Sequence, residues 1–209
     1  TENLFALGLD AEVVGVSERE TYPPLALAKP VFSRHDDAER FLAAKPDLVL
    51  MRPMLVRAAP GLVEQLERAG ILVVSLQPNS VEEMLTYWRT LGQLTGREVQ
   101  AEAMVRDFQT GLEDIRGRVG AIPVNQRRRV FFESIHREFK TFSPGSMAVF
   151  ALTTAGGVNV AADAEPVRNT NIAAYGHERI MAHAADIDVY LAQNGTMNPV
   201  TTEAIAATP

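Results

Sequence analysis

Four histidines, His35, His136, His177 and His183, are the first residues to test for chemistry, and none pairs at the His-x-x-x-His spacing that presets a metal site, His136-Arg137-Glu138 being a lone His-x-Glu. The chain has no Cys, which removes thiol catalysis, disulfide frameworks and Cys-ligated zinc but leaves the redox compartment open. It also lacks a Gly-x-Ser-x-Gly elbow, a Walker loop and a Gly-x-Gly-x-x-Gly turn. Gly145-Ser146, following Pro144, reads as a helix start, and Gly156-Gly157 reads as a helix stop. What remains is noncovalent chemistry. Arg34, Arg52, His136 and Lys140 offer local positive charge in a chain whose formal charge is -6, and Tyr22, Phe32 and Phe142 offer flat faces. That combination suits reversible capture of an anionic, flat-faced ligand better than its conversion.

Composition narrows the classes further. With 46% hydrophobic and 22% charged residues over 209 positions, the chain can fill one large core or two small ones. Its basic residues are scattered among acids, so no broad positive field exists to attract a phosphate backbone, and nucleic acid is not an expected partner. The longest apolar runs, such as that around Asp47 to Met51, fall far short of the roughly 20 residues that span a bilayer. No membrane span is expected. The opening residues Thr1 to Gly8 read as a helix with a Gly stop and carry no signal-sequence pattern, so the chain is expected to begin inside a fold.

The elements that must position these side chains follow from periodicity. Val13-Val14-Gly15-Val16, Asp47 to Met51 and Ile71 to Ser75 read as strands, with Leu62, Leu66 and Ala69 on a helix that ends at Gly70. Asp36 with Glu39 reads as a capping box, as does Ser80-Val81-Glu82-Glu83, which opens a helix stopping near Gly96. Ala101, Val105, Phe108, Leu112, Ile115 and Val119 repeat at helical spacing, predicting one uninterrupted helix over 97–119, about 34 Å long. After Pro123, Val130-Phe131-Phe132-Glu133 begins a second α/β series: a helix from Met147 to Ala155, another from Glu178 to Ala184, and a strand from Ile187 to Ala192. The expected fold class is therefore α/β, two lobes with mainly parallel central sheets flanked by helices and joined by one long helix. The lobes are expected at 1–80 and 121–209, with helices over 81–120 between them and the second lobe incomplete.

This arrangement resembles the helical-backbone class of ABC-importer substrate-binding proteins, those that capture iron-siderophore or cobalamin-type chelates. The residues carrying the resemblance are Thr1-Glu2-Asn3-Leu4-Phe5-Ala6-Leu7-Gly8-Leu9 with Val13-Val14-Gly15-Val16-Ser17, the turn Tyr22-Pro23-Pro24, the segment Ala38-Glu39-Arg40-Phe41-Leu42-Ala43-Ala44-Lys45-Pro46-Asp47-Leu48-Val49-Leu50, and Thr154-Ala155-Gly156-Gly157-Val158-Asn159. It implies a periplasmic or lipid-anchored extracellular location on a bacterial or archaeal cell, no enzymatic activity and no resident cofactor. It also implies an ABC permease dimer as partner, gripped by Glu39 on the first lobe and Glu178 on the second. The helix-start readings, a capping box for Glu39 and a first-turn acid for Glu178, remain compatible with that role.

Ligands of open α/β lobes sit beyond the carboxyl ends of the strands. The expected contacts are thus Tyr22, with Arg19 beside it, then Phe32, Arg34, His35, Arg52 and Met54 in the first lobe, and His136, Lys140, Phe142 and Asn194 in the second. Their positive charge places a ferric siderophore first as cargo, with cobalamin or another corrinoid second and haem third. Relatives that bind bare metal combine His and carboxylates from both lobes, for which His35 and His136 are the one pair available. A nitrogenase-like or chelatase subunit shares the two-lobe plan but generally needs Cys ligands for a cluster, and an interaction domain without a small ligand is the third class left open.

Overall fold

β-Branched runs and helical runs alternate through the N-terminal half, and in the computed structural model most of these runs take the form their period dictates. The structure describes residues 1–208 apart from Arg19, Asn169, Thr196 and Met197. Two units are resolved within the chain, Thr1–Pro78 with Glu82–Asp107, and Asn79–Val81 with Phe108–Pro209.

Unit 1 opens with α1 (Glu2–Ala6), which ends at Gly8 in the left-handed region. There follow β1 (Val16–Ser17), a 3-10 turn at Pro24–Ala28, β2 (Val31–Phe32), α2 (Ala38–Ala44), β3 (Leu48–Met51), α3 (Pro53–Ala58), α4 (Pro60–Arg68), β4 (Leu72–Ser75), α5 (Val81–Thr95) and α6 (Glu98–Gly120). β1 pairs with β2 and β3 with β4, both in parallel, the pattern that βα alternation requires. The strand expected from Val13 begins only at Val16. Val13 instead donates its N–H to Leu9 in a turn, and Gly15 lies against the Phe32 ring, where an added Cβ would come within 2.2 Å of a ring carbon.

The core of unit 1 joins Leu7, Leu9, Leu91 and Ala101, with Leu4, Leu50, Leu76, Tyr87 and Met104 packed around them. Here α5 and α6 approach closely at Gly92. A Cβ at that position would stand 2.7 Å from the Ala101 Cβ and 3.1 Å from both the Arg97 carbonyl and the Glu98 Cα. Because backbone cannot swing aside as a side chain can, Gly92→Val is expected to cost about 1–3 kcal/mol by overpacking. Urea unfolding followed by Trp88 fluorescence checks this, and an unchanged midpoint would mean that α5 and α6 do not need the glycine.

The long helix predicted over 97–119 is observed as α6, Glu98–Gly120, and its sequence continues into unit 2. Its carbonyl end is capped by Arg127, which donates from Nε to Ile122 O at 3.1 Å and from Nη2 to Val119 O at 3.2 Å. Unit 2 then comprises β5 (Arg129–Ile135), a 3-10 turn at His136–Glu138, β6 (Lys140–Phe142), α7 (Met147–Thr154), β7 (Val158–Asn159), β8 (Glu165–Pro166), β9 (Ile172–Ala174), α8 (His177–Ala182), β10 (Val189–Ala192) and α9 (Thr202–Ala206). Ser146 caps α7 by accepting the Val149 N–H, as its place after Pro144-Gly145 predicts.

β5 organises this unit. β10 and β7 pair with it in parallel, while β6, β9 and β8 extend an antiparallel arm that the sequence reading did not include. Period-two alternation sends Phe131 into a core with Ala161, Ala164, Ala173, Tyr175 and Ile180. Arg129 fixes the parallel register with β10: its N–H donates to the Asp188 carboxylate at 2.7 Å and its guanidinium pairs with Asp186 at 2.6 Å. Among the described residues no helix is long and apolar enough to cross a membrane.

Candidate functional site

The carboxyl end of β5 carries the most unusual chemistry in unit 2. Alternation places Glu133 on the same face as Phe131, and its side chain is fully buried. Its Oε2 accepts from the Tyr190 hydroxyl and lies 2.9 Å from His136 Nδ1, whereas Oε1 has no hydrogen-bond partner among the described residues. Burial pushes the Tyr190 phenol well above its usual range, and the adjacent Glu133 carboxylate adds to the shift.

His136 is fixed on two further sides. Its backbone N–H donates to Asn198 Oδ1 at 2.8 Å, and its Nε2 lies 3.2 Å from the Thr208 hydroxyl. Asn198 in turn donates to the Gln193 carbonyl, so the segment after β10 is tied to the turn after β5. Phe139, left-handed at φ 48°, stands between two imidazoles, 6.0 Å from His136 and 4.8 Å from His177. Lys140 hydrogen-bonds to Glu138 and holds that carboxyl below its usual range. Thus His136 and Lys140 lie in one turn region with Arg137, whose side chain is 85% exposed.

The remaining expected contacts are placed as follows. Phe142 is a core side chain, packed edge-on against Phe132 at 4.7 Å, and offers no face to a ligand because β6 turns it inward. Asn194 is exposed after β10. In unit 1, Tyr22 and Met54 are about three-fifths exposed, and Arg34, His35 and Arg52 are exposed, Arg52 at the start of α3. Phe32 is half-buried, with Phe41 4.9 Å away and the Arg40 guanidinium over its ring, so much of its surface is already used. Arg19 lies outside the described residues. His35 and His136 belong to different units, and among the described residues no group of three His or carboxylate side chains is placed to hold a metal.

Glu39 and Glu178 are both exposed in the first turns of short helices, α2 and α8. The capping box expected at Asp36 is not formed. Asp37 occupies the N-cap without a side-chain bond, while Asp36 accepts the Ser33 N–H at 2.8 Å and pairs with Arg40 at 2.9 Å. Glu39 is therefore free of that structural duty. The α8 turn beside Glu178 is pinned by Arg179, which pairs with Asp163 and covers the Tyr175 ring at 4.2 Å.

Sequence reasoning missed Glu133, Tyr190 and Asn198. The signal for the first was present, since an acid two residues after Phe131 in a strand falls on the core face. It also missed the exposed apolar pair Leu25 and Leu27, beside Tyr22, in the 3-10 turn. A groove of about 430 Å³ between α6 and α7, bordered by Arg116, Arg127 and Phe150, contains none of the expected ligand residues.

Comparison with known proteins agrees with this architecture. The chain is 31% identical over 135 residues to an uncharacterised ABC transporter substrate-binding lipoprotein, YvrC, of Bacillus subtilis, covering 64% of this chain and 43% of that protein. It is 28% identical over 167 residues to the vitamin B12-binding protein of Vibrio cholerae, covering 79% and 59%. The chain thus spans less than two thirds of either relative. Among solved structures, the periplasmic haem-binding protein RhuT from Roseiflexus sp. superposes with a TM-score of 0.69 at 27% identity, over 92% of this chain and 72% of that one. The family model described as periplasmic binding protein matches residues 1–209, and the chain belongs to that family.

Proposed function

We propose that this chain is the cargo-binding part of an ABC importer, capturing a metal chelate outside the cytoplasm and delivering it, chemically unchanged, to a membrane permease. The observation that carries the reading is the character of the loops after the parallel strands. In unit 1 Arg34, Arg52, Tyr22 and Met54 are exposed there, and in unit 2 Arg137 is, a set of cationic and apolar side chains suited to an anionic chelate. A ferric siderophore fits that charge, and the relatives named for vitamin B12 and haem support chelate capture in general. The proposed contacts are Tyr22, Arg34, His35, Arg52 and Met54 in unit 1 and His136, Lys140 and Asn194 in unit 2, with Phe32 contributing only its free edge.

Titrating the full-length protein with ferric siderophores, aquacobalamin and haemin tests this, with the emission of Trp88 as signal. Saturable quenching by one of them at micromolar or tighter affinity, about 8 kcal/mol, is the expected result. Silence across the panel, confirmed by calorimetry, would transfer the chain to an interaction role.

Delivery is proposed to use Glu39 and Glu178 as carboxylates for guanidinium groups on the permease. Replacing both by Ala is expected to weaken permease binding at least tenfold, since a hydrogen bond to a charged group contributes about 1.5–3 kcal/mol. Cargo affinity is expected to stay constant. Unchanged permease affinity in the double variant would sink the docking assignment.

A further inference from the structure

His136 differs from an ordinary structural histidine in how its two ring nitrogens are used. Nδ1 is held at 2.9 Å by the fully buried Glu133 carboxylate, which fixes the proton there in the neutral ring and leaves the lone pair on Nε2. The side chain is 21% exposed, and among the described residues Nε2 meets the Thr208 hydroxyl alone, at 3.2 Å. That hydroxyl has a single proton and a closer acceptor, the Ala204 carbonyl at 3.0 Å. Nε2 is therefore weakly held, whereas Nδ1 and the His136 backbone are firmly held. A carboxylate behind the ring and a lightly engaged nitrogen in front is the arrangement that orients imidazole toward a metal and raises its donor strength.

The state of Glu133 points the same way. Its Oε2 collects both donors, from Tyr190 and His136, and among the described residues Oε1 collects none. A buried carboxylate with half its acceptor capacity unmet gains from positive charge placed across the imidazole. Phe139, 6.0 Å from the His136 ring, adds an apolar wall beside it, and Arg137 adds an exposed cation in the same turn.

We propose that His136 Nε2 ligates the metal of the cargo directly, with Glu133 as the positioning residue behind it. This rests on the chelate-binding reading above and narrows it to a planar tetrapyrrole complex with an open axial position, either iron porphyrin or corrinoid cobalt. A hexadentate siderophore leaves its ferric ion no position for an imidazole, so such cargo would not use the dyad.

The test is absorption spectroscopy of the full-length protein with haemin and, separately, with aquacobalamin. One of the two is expected to bind with the spectrum of an imidazole-ligated metal. His136→Ala is expected to abolish that spectrum and weaken binding at least tenfold, and added imidazole to restore the spectrum. Glu133→Gln, which keeps the shape but removes the charge, is expected to weaken binding about 10–100-fold. It is also expected to move the metal's reduction midpoint to a more positive value. His136→Gln replaces the Ala variant if circular dichroism shows that Ala unfolds the unit.

The same metal spectrum in wild type and both His136 variants would overturn the ligand assignment while leaving chelate capture intact. Binding of ferric siderophores alone would do the same. Failure of every chelate would overturn both readings. A His136-dependent spectrum with haemin identifies iron porphyrin as the source, and one with aquacobalamin identifies corrinoid cobalt.

Discussion

Phe131→Ala is expected to lower the stability of unit 2 by about 3–5 kcal/mol, the range for emptying a buried aromatic site. Phe131 is fully buried, and its ring is flanked by Tyr175 at 5.4 Å and Tyr190 at 5.1 Å. The cluster around it includes Ala161, Ala164 and Ala173, side chains too short to swing into the vacated space, with Ile180, Ile187 and Phe139 also packed in it. Both tyrosines are also held at their hydroxyls, Tyr190 by Glu133 and Tyr175 by the Val160 carbonyl, so neither ring is free to collapse inward. The cavity should persist, which places the cost toward the upper end. Urea unfolding followed by circular dichroism measures it, and a loss under about 1 kcal/mol would show that the core relaxes around the gap.

His136→Ala should be nearly as costly, about 3 kcal/mol or more, for an electrostatic reason. Removing the imidazole takes a donor away from a fully buried carboxylate, and among the described residues Glu133 would keep only the Tyr190 hydroxyl as partner. Glu133→Gln alone should cost little, because an amide oxygen still accepts from Tyr190 and needs no counter-charge. Combining the two should therefore cost less than the sum of the separate losses, by about 1–3 kcal/mol in a double-mutant cycle. Strict additivity would show that the two side chains are neighbours without being coupled.

The sequence read well where burial imposes a single period over many residues. Leu48 to Met51 and Leu72 to Ser75 were recoverable as parallel strands, and α6 was recoverable almost to the residue, because an apolar stripe repeated through 23 positions has no competing interpretation. Two-residue and three-residue strands carry no such signal. β6, β8 and β9 form an antiparallel arm whose pairing is set by β5 and by one another rather than by any local pattern. Phe142 shows the consequence: taken as a loop aromatic it looked like a stacking surface, but as the end of β6 it faces Phe132.

Candidate positions for a site were legible only from their place after strands. Exposed cationic and aromatic residues after strands could be nominated from position alone, as Arg34, Arg52 and Tyr22 were. The Glu133–His136–Tyr190 cluster could not be assembled that way, since Tyr190 reaches Glu133 only through the parallel pairing of β10 with β5. Asp36 was misread because its carboxylate satisfies the Ser33 N–H and Arg40 instead of the helix end, a choice between two local acceptors that spacing does not decide.

The place of β5 also sets a timetable for biosynthesis. The bond from Arg129 to Asp188 joins residues 59 apart in the sequence, and β10 is made after β6, β7, β8 and β9. A nascent chain leaving the ribosome can pair β5 with β6 and β7 first, but the edge of Val130, Phe131 and Phe132 that meets β10 lacks its partner strand until residues 189–192 are made. The β10 side of β5 therefore depends on a contact of long sequence separation, the kind that forms late in folding.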